Sequence, residues 1–159
     1  METETMAHTP VNHPLRPVYR ALGGLAGLYL VLFGILGLIQ TAGDGLFALG
    51  IDHVLGQGTN LAWSIVSLVV GALVLLATAV GRNLDVAADL YLGWALLGVG
   101  SAMLALIRTD ANIFNFSLTT VIVTYVVGLV LVMAGLYSKV VAPERAGAPR
   151  QVLQEQANA

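Results

Sequence analysis

An all-α integral membrane bundle of four transmembrane helices is the fold class this sequence predicts, and three observations predict it. Four runs, Val18–Gln40, Leu61–Val80, Val86–Ile107 and Leu118–Tyr137, carry almost no charge, and each approaches the ~20 residues that cross a hydrocarbon core. The 159-residue chain is 57% hydrophobic and 10% charged, with mean hydropathy +0.84, against ~25% charged residues in soluble domains. Leu68–Val80 (LVVGALVLLATAV) is apolar all round, whereas the strands of a membrane barrel alternate. Backbone groups in lipid must pair within a helix or a closed barrel, so the runs are helices. One domain fits the length.

Residues 1–17 form a polar N-terminal segment with Pro10, Pro14 and Pro17, expected to be disordered or loosely held at the surface. Its acidic start (METETMAHTPVNHPL) is unlike the basic start of a signal peptide. The run after it exceeds a signal-peptide core of ~7–15 residues, so it reads as a retained first span. Between spans one and two, Leu46–Leu55 (LFALGIDHVL) has apolar residues spaced for a short interfacial helix. Gly43, Gly45, Gly50, Gly56 and Gly58 would keep that helix short. A tight Gly81–Asp85 turn leads to span three, and Arg108–Ser117 connects to span four. Residues 18–140 form the membrane domain, and 141–159, with Pro143 and Pro149, read as a disordered solvated tail.

The basic residues orient the chain. Arg16, Arg20, Arg82, Lys139, Arg145 and Arg150 fall on one side of the spans and only Arg108 on the other. The positive-inside rule then places both termini in the cytoplasm of a plasma-membrane protein. Tyr19 and Tyr137 would mark the inner interface, and Trp63, Phe114 and Phe116 the outer one. A net charge of −2 argues against a nucleic-acid partner. Zero cysteines exclude disulfides, thiol catalysis and cysteine-ligated metals.

The small residues carry the packing signal. Helices in lipid are held by close contact, which glycine, alanine, serine and threonine permit. Gly23, Gly27 and Gly34 line span one, Ser67 and Gly71 span two, Gly98 and Ala102 span three, and Thr120, Thr124 and Gly128 span four. Two uses are open: packing within the bundle, or a face of span one offered to a second copy or a partner's helix. In the second case Gly27→Leu or Gly34→Leu disrupts association while the monomer still inserts. A two-hairpin repeat is also open. Ser67–Leu75 (SLVVGALVL) resembles Thr124–Val132 (TYVVGLVLV), and Gly27, Gly34 and Gly37 fall in step with Ala95, Ala102 and Ala105.

Sites for chemistry are few. Asp89 is the deepest acid, Asp85 lies one turn before it on the same face, and Arg82 lies near that stripe. These three form a possible ionisable site, because a charge at the bilayer centre costs ~2.5–3.5 kcal/mol or more. Acids in a helix's first turn also suit its dipole, so capping and ion pairing is the competing reading. His8, His13 and His53 lie outside the spans, which excludes a haem held by two membrane histidines, and His53 with Asp52 supplies too few ligands for a metal. No nucleophile stands beside a base and no two carboxylates face each other as an acid–base pair, so no catalytic residue, cofactor or metal is expected. Asn60 before span two and Asn112 and Asn115 before span four read as helix starts.

The basic residue and glycines of Arg20-Ala-Leu-Gly-Gly, the Thr59-Asn60-Leu61 entry into SIVSLVVG, and the Asn112 and Asn115 pair resemble an actinobacterial four-helix membrane family known as domain of unknown function 4383. The resemblance spans about Val18–Tyr137. It implies a four-helix bundle and no assigned biochemistry. Histidines typically accompany those asparagines in the family, where this chain has Trp63, Ser64, Phe116 and Ser117; a histidine-based activity would be missing here. The function expected is that of a non-enzymatic accessory or structural subunit packing against other membrane proteins or itself. An oligomeric transporter or channel for small solutes or ions, with Asp89 at its centre, is the alternative.

Overall fold

The computed structural model describes residues 10–142. Four helices dominate them: α1 (Arg16–Gln40), α2 (Leu61–Val80), α3 (Leu84–Leu106) and α4 (Leu118–Tyr137). All four are long and apolar enough to cross a membrane. α1 and α3 begin ahead of their apolar runs, which draws Arg16 into α1 and Asp85 into the first turn of α3.

Local chemistry sets the ends. Asn60 caps α2, its Oδ1 accepting from the Trp63 amide at 3.0 Å. Ser117 and Thr120 cap α4 reciprocally. At the end of α1 the Thr41 hydroxyl donates back to the Gly37 carbonyl at 2.8 Å. Such caps matter most next to lipid, where a helix-end group without a partner has no bulk water to turn to.

The helices form a ring in chain order, each antiparallel to its neighbours. Gly27 meets Val74, Gly34 meets Leu68 and Gly37 meets Ser64, so α2 descends as α1 rises. Gly135 meets Leu90, Gly128 meets Gly93 and Gly100 meets Thr124 in the same way between α3 and α4. Tyr19 stacks on Tyr137 with centroids 4.9 Å apart, closing the ring between α1 and α4, and His13 stands edge-on to both. The proximal end of the bundle holds the start of α1 and the end of α4; the two longer loops lie at the distal end. Phe33, Val74, Val121 and Leu131 are fully buried in the core.

Several expectations change. Residues 42–58 form no helix: they run through turns into a two-residue ribbon, β1 (His53–Val54) against β2 (Gln57–Gly58). Leu55 and Gly56 both have positive φ, 51° and 76°, as a two-residue hairpin turn demands. The proximal segment from residue 10 is tied down. Asn12 and Val141 exchange two hydrogen bonds, side chain to backbone, and the Asn12 amide donates to the Lys139 carbonyl at 2.9 Å. The tail expectations for residues 1–9 and 143–159, with His8, Arg145 and Arg150, lie outside the described residues.

The glycine face of α1 is spent inside the bundle. Gly23, Gly27, Gly34 and Gly37 are all buried, so α1 offers that face to no second protein. Gly98 and Ala102 are the opposite case and correct the seam expected on span three. Both are exposed, and a Cβ on Gly98 would meet nothing within 4 Å. Gly93 and Gly100 occupy the contact instead. Ser67, Gly71, Thr124 and Gly128 are buried on α2 and α4. Ala95, Ala102 and Ala105 face outward, so they do not match Gly27, Gly34 and Gly37. The burial pattern instead aligns Gly27, Leu30, Gly34 and Gly37 with Gly93, Leu96, Gly100 and Met103, and Gly71 with Gly128.

Candidate functional site

Four charged side chains meet at the proximal end. Arg16 and Arg20 stand one turn apart at the start of α1, and Asp85 and Asp89 one turn apart at the start of α3. Arg20 Nε lies 2.8 Å from Asp85 Oδ2, and Arg16 Nη2 lies 3.8 Å from the same oxygen. Both guanidiniums reach further. Arg16 Nε donates to the Ser138 carbonyl at 2.8 Å, and an Arg20 Nη donates to the Thr78 carbonyl. Two cations thus satisfy carbonyls at the C-terminal ends of α4 and α2, where the helix dipole favours positive charge, and a carboxylate at the start of α3.

Asp85 and Asp89 are each only 1% exposed. Asp85 is therefore no residue of a solvated turn, and the ion pair makes its burial tolerable. Asp85 and Asp89 alike have no hydrogen-bond partner on either carboxyl oxygen. Asp89 differs in having no ion-pair partner either among the described residues. It lies against Gly23, where a Cβ would stand 2.7 Å from Oδ2 and 3.4 Å from the Ala134 Cβ. A methyl group at position 23 would therefore crowd that carboxyl.

Arg82 does not join the cluster. It is exposed with φ of 56°, in a turn where Gly81 and Asn83 also have positive φ. The partners are Arg16 and Arg20 instead. The signal in the sequence is the matched spacing: two basic residues and two acidic residues, each pair one helical turn apart, at the starts of two helices that run the same way.

The distal end is stitched by asparagine. Asn60 Nδ2 donates to the Ile113 carbonyl at 2.8 Å. Asn112 exchanges two bonds of 2.9 Å with the Phe116 backbone. Asn115 Nδ2 donates to the carbonyls of Thr59 and Gly50, at 2.8 and 3.1 Å. Asn112 and Asn115 are thus loop clamps rather than helix starts. Trp63 packs on Phe114 and Phe116 beneath them. Among the described residues no group of three His, Asp or Glu could hold a metal. An interior pocket between Tyr29, Gln57, Ser67, Leu96 and Thr124 has a volume of about 10 Å³, room for about one water.

The chain is thus a four-helix, multi-pass bundle of the membrane type. No family model, curated protein or solved structure matches it.

Proposed function

We propose that this protein is a non-enzymatic subunit of the plasma membrane, with cytoplasmic termini, that works by packing laterally against other membrane proteins. One observation carries the reading: α3 is both the least apolar and the least buried of the four helices. A helix turned to lipid is expected to be the more apolar one. Its outward face carries Tyr91 and Trp94, 80% and 63% exposed, followed by Ala95, Gly98, Ser101 and Ala102. Trp94 lies roughly 15 Å along α3, far from the interfaces where tryptophan is enriched. Small residues at this spacing accept a neighbouring helix. At Gly98 this face is open, since a Cβ there would meet nothing within 4 Å.

Native mass spectrometry of protein extracted gently from its own membrane tests this. A stoichiometric larger partner, lost on Gly98→Leu or Ala102→Leu while the monomer stays folded, is the expected result. A partner-free monomer, or a partner retained by both variants, would sink the reading. A homo-oligomer lost on the same substitutions would make the partner a second copy. The resemblance to the family known as domain of unknown function 4383 belongs to this proposal and adds no biochemistry to it.

The buried Asp89 favours the second reading, an oligomeric transporter or channel for small solutes or ions. The interior pocket of about 10 Å³ is too small to be a solute path, so on this reading a lateral interface lines the path. Unchanged flux in Asp89→Asn would remove that reading.

A further inference from the structure

We infer that Asp89 is a proton-binding site, whose carboxyl group takes up and releases a proton exchanged with water at the proximal end of the bundle. This stands apart from the lateral-packing reading, which does not use the residue.

The geometry withholds every strong donor from Asp89. Arg20 has Nε on Asp85 and an Nη on the Thr78 carbonyl, and Arg16 has Nε on the Ser138 carbonyl. α2 and α4 contain no charged residue at all. Tyr19 and Tyr137 stack on each other, with His13 edge-on to both. The charged groups that face Asp89 are therefore Arg16 and Arg20 from α1 and Asp85 from its own helix. Two cations against two carboxylates balance when Asp89 is ionised; with the acid form the cluster keeps one positive charge.

Two demands thus oppose each other at one carboxyl. Charge balance supports the anion. Burial without a hydrogen-bond donor opposes it, because an ion in so dry a place loses its hydration and gains nothing in exchange. A group held between such demands exchanges its proton. On one side the Asp89 carboxyl packs directly on the Gly23 backbone. Asp85 lies one turn nearer the proximal end, beside Arg16 and Arg20 side chains that are 25% and 29% exposed. Water therefore reaches the cluster from that end. A metal cation is the poorer occupant, because hard cations take about six to eight oxygens and two guanidiniums stand beside this site. The step is a proton transfer alone: hydronium gives its proton to an Asp89 oxygen, an O–H bond forms, water leaves, and nothing is oxidised or reduced.

Infrared spectroscopy of the full chain in lipid vesicles, with carbon-13 in its aspartate carboxyls, reads the proton directly. The chain has five aspartates, and Asp44→Asn, Asp52→Asn and Asp110→Asn together remove the three outside the cluster. That triple variant should retain an isotope-shifted carboxylic-acid band that titrates with pH, and Asp89→Asn should abolish it. A second variant guards against misfolding of Asp89→Asn. Gly23→Ala, which crowds Asp89, should move the midpoint by about threefold or more in proton affinity. No titrating band in the triple variant, a band that survives Asp89→Asn, or a midpoint unmoved by Gly23→Ala would each overturn the inference.

Discussion

Gly71 and Gly27 meet backbone to backbone: a Cβ on Gly71 would stand 2.6 Å from the Gly27 carbonyl oxygen and 2.7 Å from the Val31 nitrogen. Gly93 and Gly128 repeat the relationship in the second hairpin, where a Cβ on Gly93 would stand 2.9 Å from the Gly128 carbonyl oxygen. Backbone cannot move aside as a side chain can. Each hairpin therefore has a glycine–glycine crossing where a side chain would push the helices apart, and dispersion across it replaces the hydrophobic drive that lipid does not supply.

Gly71→Val and Gly93→Val should each destabilise the bundle by about 1–3 kcal/mol, the range for overpacking a well-filled interior. Gly98→Val should cost the isolated monomer almost nothing, because no atom stands in its way. Reversible unfolding in mixed micelles, followed by circular dichroism, separates the two classes. Equal losses at Gly93 and Gly98 would contradict the assigned faces of α3.

The Arg20–Asp85 pair predicts an asymmetry between breaking and replacing. Removing one partner of a buried pair costs about 3–5 kcal/mol. Arg20 keeps a 29% exposed side chain, so the low end of that range applies to Asp85→Asn, and less to Arg20→Gln, which leaves Arg16 beside Asp85. The double variant Arg20→Gln/Asp85→Asn should be less destabilised than the sum of the two. A double-mutant cycle with no coupling would mean that the two residues act independently.

The helices were legible in the sequence because lipid makes the demand simple: a run apolar on all sides and about 20 residues long. The ends of α2 and α4 are legible for a second reason, the Asn60 and Ser117 caps. Which face of each helix turns inward was harder to read. Gly98 and Ala102 have the same small-residue spacing as Gly23 and Gly27, yet they face outward, because composition alone does not distinguish a contact inside the bundle from a surface that could accept another helix. The cluster was half legible. Asp85 and Asp89 stand out as acids at the edge of an apolar run. Arg16 and Arg20 look like orientation markers until α1 and α3 are known to run in the same direction and to meet across the bundle at their starts. The Leu46–Leu55 stretch misleads because apolar spacing is periodic there, while Leu55-Gly56 forms a hairpin turn with positive φ at both residues.

Asn115 ties the loop before α4 to the loop before α2, holding Gly50 and Thr59 by their carbonyls. Asn115→Ala should leave helix content unchanged and loosen the distal loop. Each lost hydrogen bond is worth about 1 kcal/mol, so amide exchange across residues 50–59 should rise several-fold. Unaltered exchange there would show that the ribbon and Trp63 packing suffice without it.

Asn83 allows strain and pairing to be separated. Its φ is 64°, and its side chain exchanges two hydrogen bonds with Val140, at 2.7 and 2.8 Å. Asn83→Ala loses the clamp and also puts a residue that disfavours left-handed backbone in that turn. Asn83→Gly loses the same clamp but accepts the backbone without strain. Glycine should therefore be the milder change, by about 1 kcal/mol. Limited proteolysis supplies the second readout. Both variants should expose residues 139–142 to cleavage equally, because both release Val140, while only the alanine variant should lower the unfolding midpoint appreciably. If alanine and glycine prove equally stable, the turn is held by the Gly81 backbone and the clamp alone, and the positive φ at Asn83 costs nothing.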